Sequence, residues 1–372
     1  MLSPTFHPHH GGAESLADDL ARLLVEQGHG VTVLTATEGQ STAPEWRHGA
    51  RVLRLSDQPL DLSSLISPRQ LVRHSRIVRR HRHLLDEGRF DAVCIARINE
   101  SARHVLRERG RLGFRLTAYL HGGELRSLQK GSRRFRRILR WTLREADSIV
   151  AVSAELRQEA IRFAPGAAGK IVLLPNGVDV ARIRRAPAPQ AAPRPYALFA
   201  GRLERVKNPG FLIESFARIA ATTPELDLLI VGTGSQAALL ADRVSALGLV
   251  DRVRLLGDQP REQVFSLMKG ACCLVVPSLA EAHPLVVLEA WAAGLPVLAS
   301  AVKGLRNLVT EDRGALFCLE NPDGLAELLQ QVAKDPPFLA ERRRNLAGLE
   351  PGPLDIGTLV ERHVALLTGS EG

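Results

Sequence analysis

The sequence predicts an α/β protein of two parallel-sheet domains. Three observations lead there. Short, continuously apolar runs alternate with longer amphipathic stretches along almost the whole chain, as expected of strands buried on both faces between helices. The alternation breaks once, at residues 186–195, APAPQAAPRP, where four prolines in ten residues leave no periodic apolar face and mark a linker. The 372 residues also suffice for two domains of roughly 100–200 residues each, both able to hold a core without a disulfide or metal staple.

Taken in order, Met1 and Leu2 leave only a clipped first strand before Ser3-Pro4. A helix is predicted over Glu14 to Gln27, with Leu16, Leu20, Leu23 and Leu24 on one face and Gly28 and Gly30 ending it. Strands follow at VTVLTA (31–36), DAVCIA (91–96), RLTAYL (115–120), SIVAVS (148–153) and IVLLP (171–175), with helical stretches between them. After the linker the strands are YALFAG (196–201), LDLLIVG (226–232), RVRLLG (252–257), CCLVVPS (272–278) and LPVLAS (295–300). The predicted organisation is a first domain over 1–185, the linker at 186–195, a second domain over 196–353 and a last helix over 354–372 returning to the first domain. Both domains are expected to be Rossmann-like. Ligands of open parallel sheets lie at the carboxyl ends of the strands, so two such domains facing each other would make a cleft lined by the residues just after each strand.

With 45% hydrophobic and 24% charged residues, the composition excludes a disordered, collagen-like or disulfide-scaffold chain. Cys94, Cys272, Cys273 and Cys318 are too few and too scattered for a disulfide framework or a zinc site. The sequence shows neither a signal peptide nor an 18-residue apolar run, so a cytoplasmic protein is expected, at most peripheral to the inner face of a membrane. Net charge is +9 and uneven: residues 1–186 hold 31 Lys+Arg against 19 Asp+Glu, the remainder 18 against 21. A basic first half suits an anionic surface. Two stretches concentrate the charge, 69–82 (RQLVRHSRIVRRHR) and 133–144 (RRFRRILRWTLR). The second reads either as an interfacial helix on anionic lipid or as a solvated charged face over an ordinary core stripe. With only 4% aromatics, nucleic acid is not an expected partner.

Five segments carry candidate chemistry. Gly11 and Gly12, opening the first long helix, would let backbone N–H groups approach a phosphate, or merely form a tight turn. His7, His9 and His10 fit no common metal spacing, and no metal is expected. Arg202 and Lys207 follow a strand within six residues of Gly201, and a planar fork plus a point charge make a diphosphate clamp. In VPSLAEAHPLVVLEAWAAGLPV, Glu281 and Glu289 lie eight apart. The spacing alone means little, since Glu100 and Glu108 share it. Their context is more telling. Glu289 is a carboxylate in an otherwise apolar helix starting near Pro284, which needs donors, either ligand hydroxyls or a neighbouring side chain. Gly232-Thr-Gly234-Ser-Gln-Ala237, with Asp258 at the next strand's end, matches a weak dinucleotide fingerprint and supports a rival dehydrogenase reading. His121, directly after a strand and before two glycines, is either a cleft residue or a satisfied structural histidine.

Together these segments resemble the retaining glycosyltransferases of family 4, which have the GT-B fold. The likeness spans nearly the whole chain through GGAESLADDLARLLVEQGHGVTVLT, LHGGEL, ADSIVAVS, LLPNGVD, AGRLERVKN, LLIVGTG, VRLLGD, VVPSLAEAHPLVVLEAWAAGLPVLAS and GLRNLV. It implies hexosyl transfer from a UDP- or GDP-sugar to an acceptor hydroxyl of a cell-surface glycan or lipid-linked glycan, with no cofactor. By this resemblance Arg202 and Lys207 hold the diphosphate and replace a metal ion, and Gly12 closes on the phosphate. Glu289 accepts from the ribose. Glu281 and the backbone at His283, Pro284 and Leu285 hold the donor sugar. His121 contacts that sugar near the reacting carbon, and the base lies near Asp258 and Gln259. Same-face substitution would need no protein nucleophile. Three departures stand out: the short first strand, Arg306-Asn307 where the family usually has Pro-Glu, and His283-Pro284 where Phe-Gly is commoner. The first two keep open a non-catalytic sugar-nucleotide-binding or recruitment protein. A nucleotide-sugar epimerase of the same architecture is the other rival.

Overall fold

The computed structural model describes residues 1–8, 11–36, 44–55, 79, 82–130, 133–189, 192–350, 352 and 354–369. The chain divides into two compact units, Met1–Asn176 with Ile356–Gly372, and Gly177–Asp355. Most of the 69–82 basic stretch lies outside the described residues.

The first unit begins with α1 (Gly12–Glu26), β1 (Thr32–Ala36), β2 (Glu45–Arg47), β3 (Ala50–Leu55) and β4 (Ala92–Ile95). It continues with α2 (Ala102–Leu112), β5 (Arg115–Leu120), α3 (Gly123–Lys130), α4 (Arg133–Glu145), β6 (Ser148–Ala151), α5 (Ala154–Phe163) and β7 (Ile171–Leu173). Its strands form two ribbons, β1-β3-β2 and β4-β5-β6-β7. Leu2 joins them, bridging in parallel both Leu34 of β1 and Ile95 of β4. The Leu2 N–H donates to the Cys94 carbonyl (2.6 Å), and the Leu2 carbonyl accepts from Ala96 (2.9 Å). The residues around Leu2 therefore complete the sheet by satisfying the inward edges of β1 and β4. Leu20, Val33, Tyr119 and Val150 are among the residues of the core beneath it.

The second unit carries α6 (Val180–Arg185), β8 (Tyr196–Ala200), α7 (Pro209–Ile219), β9 (Asp227–Val231), α8 (Ala237–Ala246), β10 (Val253–Gly257) and α9 (Arg261–Gly270). These are followed by β11 (Cys273–Val276), α10 (Leu285–Ala292), β12 (Val297–Ser300), β13 (Gly314–Phe317), α11 (Pro322–Lys334) and α12 (Pro336–Ala347). Its sheet order is β10-β9-β8-β11-β12-β13, all parallel. Phe216, Leu228, Ile230 and Leu298 are in its core.

Every strand read from an apolar run is present, within a few residues of its predicted ends. Three short strands escaped sequence reading. β2 and β3 form an antiparallel hairpin whose turn residues, His48 (φ 49°) and Gly49 (φ 78°), are both left-handed, the geometry a tight hairpin requires. β13 has only four residues.

The division between units also differs from the boundary predicted at 185/186. α6 belongs to the second unit: Arg182 Nε donates to Glu262 Oε1 (3.0 Å), and Lys269 Nζ donates to the Arg184 carbonyl (2.8 Å). The proline-rich segment thus connects two elements of one unit, and Ser266 Oγ donates to the Ala188 carbonyl (3.2 Å). The last helix, α13 (Ile356–Thr368), packs into the first unit, where His363 Nδ1 and the Tyr119 hydroxyl share a hydrogen bond of 2.7 Å. No described helix is long and apolar enough to cross a membrane.

Candidate active site

The second unit gathers charge at the carboxyl ends of two neighbouring strands, β8 and β11. The loop after β8 carries exposed Arg202 and then a short turn of 3-10 helix, Arg205–Lys207. The loop after β11 carries Ser278 and Glu281. A backbone bond from Leu279 N–H to the Val206 carbonyl (2.8 Å) ties the two loops together. On that tie Lys207 Nζ reaches Glu281 Oε1 at 2.5 Å, and Ser278 Oγ donates to the same oxygen at 2.7 Å. Ser278 is held in turn by Ser300 Oγ, which donates to its carbonyl (2.6 Å). Glu281 Oε1 is thus fully committed, while Oε2 accepts no such bond among the described residues.

Glycines make this approach of loops possible. A Cβ on Gly232 (φ 129°) would lie 2.0 Å from the Gly201 carbonyl oxygen, and one on Gly234 would lie 2.5 Å from that of Leu203. The missing Cβ atoms of the Gly232-x-Gly234 pair therefore make room for the β8 loop, which accounts for the dinucleotide-like spacing without a dinucleotide. Gly304 (φ 88°) does the same for the Glu281 loop, its Cβ position being 2.4 Å from the Glu281 carbonyl. Glu204 braces the β8 loop by accepting from Ser235 N–H (3.0 Å) and Oγ (2.7 Å), bonds that lower its pKa.

α10 starts at Leu285 with Pro284 as its N-cap. Pro284 and Leu285 are buried and His283 is half-buried, so backbone is what the first turn of α10 offers a ligand. Glu289, one turn on, has Arg261 of α9 beside it, with Arg261 Nη2 at 3.5 Å from Glu289 Oε1 and both side chains largely buried. A neighbouring cation thus shares the carboxylate, the second of the two alternatives weighed for Glu289. Asp258 is exposed at the end of β10, and Gln259 Nε2 donates to the Leu256 carbonyl (2.7 Å). Arg306, where the family usually has proline, donates to the Ala301 carbonyl (2.9 Å).

In the first unit, His121 follows β5 and is half-buried. Its Nε2 lies 2.8 Å from the Ala96 carbonyl. A carbonyl can only accept, so Nε2 carries a proton. The His121 N–H donates to buried Glu124 (3.0 Å), and its ring stacks on Tyr119. Gly11 is the N-cap of α1 and Gly12 its exposed first residue; Glu14 Oε2 fills the space a Gly11 Cβ would take. His9 and His10 lie outside the described residues. Among the described residues no His, Cys, Asp and Glu side chains gather as a metal-binding group.

Sequence reading missed Ser278, Arg261, Gly304 and the Glu204–Ser235 brace. Ser278 stands three residues before Glu281, and Arg261 opens the helix after β10, so both had positional signals. Neither partner could be read from spacing.

Comparison with known proteins gives two adjoining family matches. Residues 10–182 match Glycosyltransferase Family 4, and residues 182–347 match Glycosyl transferases group 1. A glycogen synthase of Mycobacterium tuberculosis is 33% identical over 220 residues, covering 57% of this chain and 52% of that protein. The match to this relative therefore spans about half its length. A D-inositol 3-phosphate glycosyltransferase of Geodermatophilus obscurus is 28% identical over 383 residues, covering 95% of this chain and 85% of that protein. Among solved structures, the sucrose-phosphate synthase of Thermosynechococcus elongatus superimposes with a TM-score of 0.76 at 23% identity, covering 96% of this chain and 92% of that one. Anabaena HepE, solved in complex with UDP and glucose, also gives 0.76, at 20% identity, covering 98% and 97%. At these identities the structures establish the fold. With the family matches running end to end from residue 10 to 347 over that fold, the chain belongs to the group 1 and family 4 glycosyltransferases of the GT-B type.

Proposed function

We propose that the protein transfers a hexosyl unit from a UDP- or GDP-sugar to an acceptor hydroxyl of a glycan or lipid-linked glycan, with retention of configuration and without a metal ion. The observation that carries this reading is the Lys207–Glu281–Ser278 cluster at the carboxyl ends of β8 and β11. Its Lys207 offers an ammonium for a diphosphate, with the exposed Arg202 on the same loop as a second cation, and Glu281 Oε2 is a carboxylate oxygen for sugar hydroxyls. HepE, solved with UDP and with UDP-glucose, supports the donor class.

The roles follow from the chemistry. As the bond from the anomeric carbon to the diphosphate oxygen breaks, negative charge grows on that oxygen. Arg202 and Lys207 stabilise it, where many transferases use a metal ion. The acceptor oxygen attacks the same face of the oxocarbenium-like sugar, and its proton passes to the departing diphosphate oxygen. Glu281 Oε2 and the first-turn amides of α10 hold the sugar, and Glu289, with its charge balanced by Arg261, accepts from the ribose.

A thermal-shift screen against UDP, GDP, ADP and dTDP and their sugar conjugates tests the donor. One nucleotide series should stabilise the protein, by about 2.7 kcal/mol at 100 times its Kd. A folded sample that responds to none of them would refute the reading.

A further inference from the structure

The function proposed above leaves one charged cavity unused. It lies in the first unit between α4 and the segment following α5, and its volume is about 880 Å³. Arg133, Arg136, Arg137, Arg140 and Arg144 wall it. Their spacings of three and four residues put them on one helical face. All five are exposed, and among the described residues none of Arg133, Arg136, Arg137 and Arg140 has a carboxylate partner. Like charges at these spacings destabilise a helix, a repulsion that a bound anion would relieve. Trp141 and Phe163 also line the cavity, both half-buried, and Arg140 stacks over Phe163 with its guanidinium carbon 5.0 Å from the ring centre.

Two features decide what occupies it. An interfacial helix on a bilayer needs an apolar face turned outward. Here Ile138, Leu139 and Leu143 are buried in the unit's own core, and the exposed large hydrophobics among the described residues, such as Trp46, Leu239 and Val250, lie on neither α4 nor the cavity wall. The second feature is length. From Arg133 to Arg144 the stripe runs about 17 Å along the helix. Because α4 leads back to the start of β6, the stripe passes from the side of the sheet edge bearing His121 toward the opposite edge. A single phosphate would use one or two of these arginines, whereas a chain of sugars bearing regularly spaced anions would use them all and stack its ring faces on the aromatics.

We propose that this cavity is a binding track for an anionic oligosaccharide, an exosite carried by the first unit. That the bound glycan is the acceptor rests on the transfer reading above; the binding itself does not.

Isothermal titration of the full chain tests it with three probes: size-fractionated polygalacturonate oligosaccharides, neutral dextran oligosaccharides of matching length, and phosphatidylcholine/phosphatidylglycerol vesicles. The uronate oligosaccharides should bind more tightly with length and less tightly at high salt, and the dextrans should not bind. Arg137→Glu with Arg140→Glu should weaken uronate binding by about tenfold or more. The milder Arg137→Gln with Arg140→Gln should weaken it less while leaving thermal stability near wild type. Nucleotide-induced thermal shifts, which report the second unit, should be unchanged in both variants. Retained uronate binding in a protein that answers no nucleotide would uphold the track and sink only the transfer reading. The proposal is overturned by absent uronate binding, by equal dextran binding, or by uronate affinity that the double substitutions leave unchanged. Vesicle binding that those substitutions abolish, with no saccharide binding, would assign the stripe to a membrane instead.

Discussion

Replacing Lys207 with methionine keeps the unbranched stem of the side chain and removes its charge, and the structure specifies two separable consequences. The first concerns stability. Glu281 Oε1 loses its cation at 2.5 Å and keeps only Ser278 Oγ at 2.7 Å. Breaking a fully buried pair costs about 3–5 kcal/mol. Here the side chains are 24% and 9% exposed and one hydrogen bond survives, so the expected loss is about 1–2 kcal/mol. For a unit of this size that lowers Tm by about 2–8 °C. The second concerns binding. Losing a charge-assisted contact to the diphosphate costs about 1.5–3 kcal/mol, roughly a 10- to 150-fold rise in Kd. Urea denaturation reads the first effect, and titration with UDP and GDP reads the second. Adding Glu281→Gln distinguishes them. The neutral amide needs no counter-ion, so the double variant should recover about 1 kcal/mol of stability while nucleotide affinity stays low. If Lys207→Met changes neither quantity, or if the double variant recovers affinity along with stability, the assignment of Lys207 to the diphosphate is refuted.

Gly232→Ala should destabilise the second unit by about 2–4 kcal/mol, because its Cβ would lie 2.0 Å from a backbone oxygen that cannot move without the β8 loop. Circular dichroism melting showing no change would disprove the close packing of these loops. Burial depresses His363 to a pKa of about 4, while the unfolded chain titrates near 6.5. The neutral ring's contribution to stability is therefore full above about pH 6.5 and is lost progressively as pH falls toward 4, up to about 3 kcal/mol. Comparing urea midpoints at pH 7 and pH 4.5 should show a smaller drop in His363→Phe than in wild type; equal drops would contradict it. Chelator should leave transferase activity intact, and loss of activity restored by a divalent ion would overturn the metal-independent mechanism.

Much of this protein is legible in the sequence because its determinants are local. A run such as LLIV (228–231) is apolar on both faces because its strand is covered on both, so apolar runs alone located ten strands in the right order. Position after a strand likewise singled out Arg202, Lys207, Glu281 and His121, since parallel sheets expose their loops at one edge whatever the side chains do. Proline density, by contrast, misplaced the division between units. It records a segment that cannot be helical, whereas unit membership depends on what Arg182 and Lys269 touch.

The sequence by itself therefore determined the alternation of elements, the fold class and the loops on which chemistry could reside. Only the tertiary structure decided the partnerships. Lys207 and Glu281 are 74 residues apart in the chain and meet because β8 and β11 are neighbours in a sheet whose order is not the order of the chain. The same packing gives Glu289 its arginine, lets Leu2 stand in for a strand and turns five helical arginines toward a cavity. Burial patterns are written residue by residue along the chain, but a contact across a crossover exists only once both ends have been packed.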